Sequence, residues 1–167
     1  MRVALTWFVV SLAVARTAGA QPPLGPSVSV GLGGGFAGPS GGSGTSSSNM
    51  QVAPVITGTV DFPLGPLVTI GAQADYWRRS SVNALFATGV VTLHVPDTPL
   101  SVKAGGGFGR GDFGGGALSG PSGQLGLVYQ ILGVGPPATR LFANAFFASG
   151  SPRNVLLIDA GLALTWR

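Results

Sequence analysis

Past residue 27, apolar and polar side chains alternate with a period of two over most of the chain. In the last stretch, VLLIDAGLALTW at 155–166, Leu156, Ile158, Ala160, Leu162, Leu164 and Trp166 fall on one face of an extended strand. Asp159, Gly161, Ala163 and Thr165 fall on the other, because successive strand side chains point to opposite sides. Seven earlier segments repeat the pattern. The first sets Val28, Val30, Leu32, Gly34 and Phe36 against Ser27, Ser29 and glycines, and the second sets Ile56, Gly58, Val60 and Phe62 against Thr57, Thr59 and Asp61. In the third, Val68, Ile70, Ala72, Ala74 and Tyr76 oppose Thr69, Gly71, Gln73 and Asp75. In the fourth, Leu85 to Val95 in steps of two oppose Phe86, Thr88, Val90, Thr92 and His94.

The fifth segment opposes Leu100, Val102, Ala104, Gly106 and Phe108 to Ser101, Lys103, Gly105 and Gly107. The sixth opposes Leu125, Leu127, Tyr129 and Ile131 to Gln124, Gly126, Val128 and Gln130. In the seventh, Leu141, Ala143, Ala145 and Phe147 oppose Arg140, Phe142, Asn144 and Phe146. Pro-bearing turns follow the even segments: Pro63-Leu64-Gly65-Pro66, Pro96-Asp97-Thr98-Pro99 and the stretch Gly133–Thr139. Gly/Ser loops follow the odd ones, at 38–49, 78–81, about 109–121 and 149–154. These cues predict turns and low-complexity connections that build no core.

One face apolar and the other small or polar, eight times over, predicts an all-β protein: an eight-stranded antiparallel up-and-down transmembrane β-barrel. Composition agrees. Charged residues make up 8% of the 167 and mean hydropathy is +0.45, against about a quarter charged in ordinary soluble domains. Past residue 20 no apolar run reaches the roughly 20 residues of a spanning helix. Only helices and closed barrels satisfy their backbone in lipid, and 29 glycines argue against long helices. Strands near the roughly 9–11 residues of a tilted span are expected. A secreted β-sandwich shares the alternation, but would carry more surface charge.

Residues 1–20 read as a signal peptide, with Arg2, an apolar core from Val3 to Ala15, and Ala18-Gly19-Ala20 before Gln21. The barrel is then expected over 21–167, with both termini periplasmic. Without Arg2 and Arg16 seven basic and five acidic residues remain, too even a balance to imply nucleic acid as a partner. The chain has no cysteine, hence no disulfide or thiolate metal site.

With Leu162, Leu164 and Trp166 as a C-terminal apolar-aromatic pattern, the chain resembles the small eight-stranded bacterial outer-membrane β-barrels, the group of the OmpA transmembrane domain and OmpX-like proteins. The resemblance implies residence in the bacterial cell outer membrane, contact with its lipid and lipopolysaccharide, and recognition of Leu162, Leu164 and Trp166 by the barrel-assembly machinery. A monomer without cofactor is expected. Aromatic rims are expected from Tyr76 and Trp77 at the outer edge and from Phe62, Tyr129 and Trp166 at the inner one.

Candidate chemistry adds little. Asp61, Asp75, His94, Lys103, Arg140 and Asp159 all fall on inward positions, and buried charges persist only when paired. They are read as an internal salt-bridge and hydrogen-bond network that fills the lumen. His94 is the only histidine, and its nearest acid in sequence, Asp97, lies on the adjoining turn. No catalytic triad or metal spacing is evident, so no enzyme is expected. The stretch GGGFGRG at 105–111 lacks the strand-to-helix setting of a dinucleotide loop. Arg110-Gly111-Asp112 spells an adhesion tripeptide that chance accounts for in so Gly-rich a stretch. Arg78, Arg79, Arg110 and Arg153, all expected in outer loops, are candidates for lipopolysaccharide phosphate. A non-enzymatic structural, surface-interaction or membrane-integrity role is the leading expectation. A small-solute pore and a secreted ligand-binding β-protein are the alternatives, the inward Phe86, Phe142 and Phe146 speaking against a pore.

Overall fold

A computed structural model describes residues 25–40, 51–79, 82–113, 117–132, 137–149 and 154–167. The expected signal peptide and Arg153 lie outside the described residues. Eight strands are present: β1 Ser27–Ser40, β2 Gln51–Pro63, β3 Val68–Arg79, β4 Val82–His94, β5 Leu100–Phe113, β6 Ala117–Leu132, β7 Ala138–Ala148 and β8 Asn154–Trp166. Each pairs antiparallel with its sequence neighbour, and β8 closes on β1 from Val28↔Trp166 to Ser40↔Asn154. Closure leaves no sheet edge with unpaired backbone groups. One end, here the turn end, carries both strand termini and the β2–β3, β4–β5 and β6–β7 connections. The other, the loop end, carries the remaining connections.

The barrel is inside out relative to a soluble domain. Leu32, Leu125 and Leu162 are 66%, 65% and 53% exposed, whereas Asp75 and Asp159 are 0% and 1% exposed. A contiguous apolar exterior of this extent is a membrane surface, because soluble monomers rarely show apolar patches beyond a few hundred Å². The alternation sets the register: outward apolar positions of neighbouring strands fall in common rows on the outer face, as in Phe62↔Ile70 and Ile70↔Val91. A one-residue slip would turn each such row into the lumen.

Several sequence expectations need correction. The strands run to 11–16 residues, longer than the spans expected. The described residues of the stretch 109–121 are strand: β5 continues to Phe113 and β6 begins at Ala117, paired down to Asp112↔Ala117. Arg110-Gly111-Asp112 is therefore strand. Likewise β3 includes Arg78 and Arg79, and β4 begins at Val82 rather than near Leu85. The physical reason is one of partners. A Gly-rich segment has little strand propensity of its own, but neighbouring strands supply the ladder and large side chains that occupy the space its glycines leave. The Pro96-Asp97 turn after β4 places Asp97 at φ 57°, a left-handed conformation that Asp tolerates better than most residues.

Inward glycines act as sockets. A Cβ on Gly35 would collide with the six-membered ring of Trp77, and one on Gly109 with the ring of Phe86. A Cβ on Gly31 or Gly161 would lie 2.8 or 2.7 Å from Phe142. The outward Gly34 has open space around the same position. This neighbouring pair separates packing from backbone entropy. Gly35→Ala should destabilise the barrel by about 1–3 kcal/mol through overpacking. Gly34→Ala should be neutral or stabilising by up to about 1 kcal/mol. Urea unfolding of both variants in one detergent, read as the change in midpoint, tests the difference.

Candidate functional site

The lumen has two layers, set by which residues fall on inward positions at each end of the strands. Toward the loop end the filling is apolar: Val55 of β2, Trp77 of β3, Val82, Ala84 and Phe86 of β4, Phe146 of β7, and Val155 and Leu157 of β8 form one buried cluster. Phe86 and Phe146 meet with ring centroids 5.3 Å apart and planes tilted by 36°, within the favourable range for an aromatic pair. Trp77 is fully buried. It sits at the expected end of the barrel but belongs to this core, not to an outer aromatic rim: Tyr76 faces out, so the next residue must face in.

Toward the turn end the filling is polar. Lys103 Nζ donates to Gln73 Oε1 at 2.7 Å, and Gln73 Nε2 donates to both carboxylate oxygens of Asp75 at 3.0 and 2.8 Å. A second relay runs from Thr88 Oγ1 to Gln124 Oε1 (2.7 Å), from Gln124 Nε2 to Asn144 Oδ1 (3.2 Å), and from Asn144 Nδ2 to Asp159 Oδ1 (2.8 Å). Amides thus join cation to carboxylate and hydroxyl to carboxylate. Lys103 also lies within electrostatic reach of Asp61 and Asp159, and Arg140 within reach of Asp61. The six titratable residues expected inside the barrel all lie there: Asp61, Asp75, Lys103 and Asp159 buried, His94 and Arg140 partly so.

A cavity of about 40 Å³ lies among Thr57, Asp61, Gln73, Thr92, His94, Lys103 and Arg140. Thr57 Oγ1, Asp61 Oδ1, Thr92 Oγ1 and His94 Nε2, all on residues lining it, have no protein partner. A space of this size holds water that can meet such groups. His94 Nδ1 is 2.8 Å from Ser101 Oγ, a base beside a hydroxyl that sequence reasoning did not pair, because the turn between the two strands brings them face to face (His94↔Ser101). Among the described residues no acid hydrogen-bonds the imidazole, whose Nε2 is unpartnered, so the third member of a triad is not in place there. Among the described residues no group of three metal-ligating side chains occurs.

On the exterior, Phe62 and Trp166 are exposed at the turn end, where Tyr129 is partly covered, and Leu162 and Leu164 face outward along β8. Tyr76 is partly exposed near the loop end, and Phe36, Phe108 and Phe147 add exposed rings on other strands. Arg78, Arg79 and Arg110 are exposed near the loop end, on strands and not in loops. Arg79 Nη1 donates to the Val52 carbonyl at 2.6 Å. The inward Trp77, Val82, Ala84, Val155 and Leu157 are the residues that sequence reasoning missed. Their signal is the same two-residue step, continued beyond the assumed strand ends from Asp75 and Phe86, and within the last segment from Asp159 to Leu157 and Val155.

No family model matches the sequence, and no curated protein matches it. Among solved structures the chain is similar to Ail, the attachment invasion locus protein of Yersinia pestis, with a TM-score of 0.63 at 12% identity over 85% of this chain and 99% of that one. It is also similar to the N-terminal β-barrel domain of Pseudomonas aeruginosa OprF (TM-score 0.54, 10% identity, 85% and 98%). Neisserial surface protein A gives 0.50 at 12% identity over 83% and 96%. The chain has the fold of the small eight-stranded outer-membrane β-barrels.

The relay through Asn144 makes a specific prediction. Asn144→Leu strands the Gln124 Nε2 donor and removes the Asn144 amide from Asp159 Oδ1 in a buried layer, and should cost about 2–4 kcal/mol, at about 1–3 kcal/mol per stranded group. Adding Asp159→Leu should recover part of that loss, because a carboxylate is no longer stranded. Urea midpoints of the single and double variants check the sign of the coupling.

Proposed function

We propose that this protein is a closed, non-enzymatic scaffold of the bacterial outer membrane, with its working surface on the exterior and at the loop end, which faces out of the cell. The observation that carries this reading is the apolar layer of Trp77, Phe86, Phe146 and Leu157, each buried to 0% exposure across the loop half of the lumen. A dehydrated layer of side chains leaves no path for ions, and an eight-stranded barrel is just wide enough for such filling. The His94–Ser101 pair lies inside the barrel beside a cavity of about 40 Å³, too small to admit a lipid or peptide, which supports a non-catalytic role. Two barrels of this fold bear names of attachment and of the surface, which supports a structural or interactive role there. The exposed leucines of the exterior weigh against a secreted soluble protein.

The washed outer-membrane fraction should contain a band that migrates differently before and after boiling in SDS, because a closed barrel resists the detergent while cold. The purified barrel should give no discrete conductance steps in a planar bilayer. Steps of defined size would replace the scaffold reading with a small-solute pore, and recovery of the protein from the aqueous phase without detergent would replace it with a soluble one.

A further inference from the structure

The ladder between β2 and β3 stops short of the loop-end limits of both strands. Its last row is Val55↔Trp77, which leaves 51–54 of β2 and 78–79 of β3 beyond it. On their far sides the same strands stay paired, β2 with β1 as far as Ala37↔Gln51 and β3 with β4 as far as Arg79↔Val82. Both strands therefore continue, each held from its far side, with no ladder on the seam between them.

The sequence supplies the reason. Arg79 Nη1 donates to the Val52 carbonyl, so Val52 turns its backbone polar groups toward β3. A Cβ on Gly71 of β3 would meet the carbonyl of Val60, which has the same parity and the same direction. Residues two apart in a strand address the same neighbour, so Pro54 and Ile56 also address β3. Pro54 has no N–H to give, and the row that would join it to Arg78 lacks one of its two bonds. One residue pair further on, the Arg79 guanidinium, 2.6 Å from the Val52 carbonyl, stands where a rung of the ladder would. Arg79 and Val52 are both exposed, and a side-chain bond in reach of water is weaker than a sheltered rung.

Behind this seam lies the apolar layer of the lumen. Ala53 and Val55 of β2 and Trp77 of β3 are buried members of it. Trp77 Nε1 is a buried donor without a partner, a group that entering water would satisfy.

We infer that the loop-end part of the β2–β3 seam is a latched opening in the barrel wall. The Arg79 side chain, in place of the ladder, holds β2 to β3 above the Val55↔Trp77 row, and its release parts the wall beside Trp77. The inference goes beyond the scaffold reading: it concerns the wall alone and holds whichever side of the membrane the loop end faces. It gives Arg79 a conformational role that Arg78, which faces outward on the same strand, does not share.

The test is amide hydrogen exchange, read by NMR on the refolded full-length barrel in a neutral detergent. Ile56 and Tyr76 face each other in the first complete rung below the seam, while Trp77 and Ala84 form a rung on the opposite edge of β3. The Ile56 and Tyr76 amides should exchange roughly tenfold faster than those of Trp77 and Ala84, because local opening sets the rate. Arg79→Met should speed the first pair roughly tenfold more and leave the second unchanged. Pro54→Val, which restores the missing N–H, should slow the first pair by a similar factor. Arg78→Met, which removes a neighbouring guanidinium outside the seam, should match the wild type. Equal exchange at the two rungs, or no response of the first to Arg79→Met, would overturn the proposal. So would a response to Arg78→Met as large as that to Arg79→Met. A heat-dependent band shift in every variant shows that the barrel is intact, so absence of the latch and failure of the barrel reading are separate results.

Discussion

The width of an eight-stranded barrel governs the rest of this structure. Such a cylinder encloses room for side chains and little else, so the lumen must be packed as tightly as a protein core while the outside takes the place of the surface. Large inward rings can be admitted only where the facing wall is bare. Trp77 lies against Gly35, Phe86 against Gly109, and Phe142 against Gly31 and Gly161. The high glycine content follows in part from this interdigitation, since Trp77, Phe86 and Phe142 each rest against a wall position without a Cβ. Interior packing of this kind tolerates neither added volume nor a shifted register.

The second constraint is the backbone. In lipid every peptide group needs a partner within the sheet, and closure of β8 on β1 supplies those partners on all sides. It also explains why a stretch as Gly-rich as 105–111 can be strand. The β5 glycines are held by ladders to β4 and β6 on both flanks, so their conformational freedom is removed by neighbours and not by their own side chains. Extension of the β5–β6 hairpin carries Arg110 onto the outer wall of the barrel, where a loop would have left it unplaced.

Much of this was legible in the sequence, because a period of two determines both the strand and its inward face. The eight strands, their antiparallel order and the outward face of each follow from alternation. So does the inward position of Asp75 or Asp159. The strand ends were not legible. At Gly109, Gly111 and Arg78 local composition favours a loop, and only cross-strand pairing, which is non-local, extends the strand. The error at Trp77 has a different origin: an aromatic near a strand end satisfies the expectation for a membrane rim, yet parity alone turns it inward. The amide relays were also hidden. Gln73, Gln124 and Asn144 read as ordinary inward polar residues until the register brings Lys103 to Gln73 and Asn144 to Asp159.

The order of the two lumen layers has its own physical logic. Asp61, Asp75, Lys103, Arg140 and Asp159 share a narrow interior, where an isolated charge costs several kcal/mol. Asp61, Lys103 and Arg140 lie toward the end that finishes in partly exposed His94 and Arg140, while Asp75 and Asp159 sit at mid-barrel against the apolar layer, Gln73 tying Asp75 back to Lys103. One dry layer at the loop end is then enough to interrupt any path for ions, and it needs no charge of its own. Reversing the layers would keep the barrier but would place the charged groups beneath the loop-end surface, where the exterior already carries Arg78 and Arg110. The separation therefore lets the chain keep a hydrated, charged interior at one end and a sealed wall beneath its lipid-facing arginines at the other.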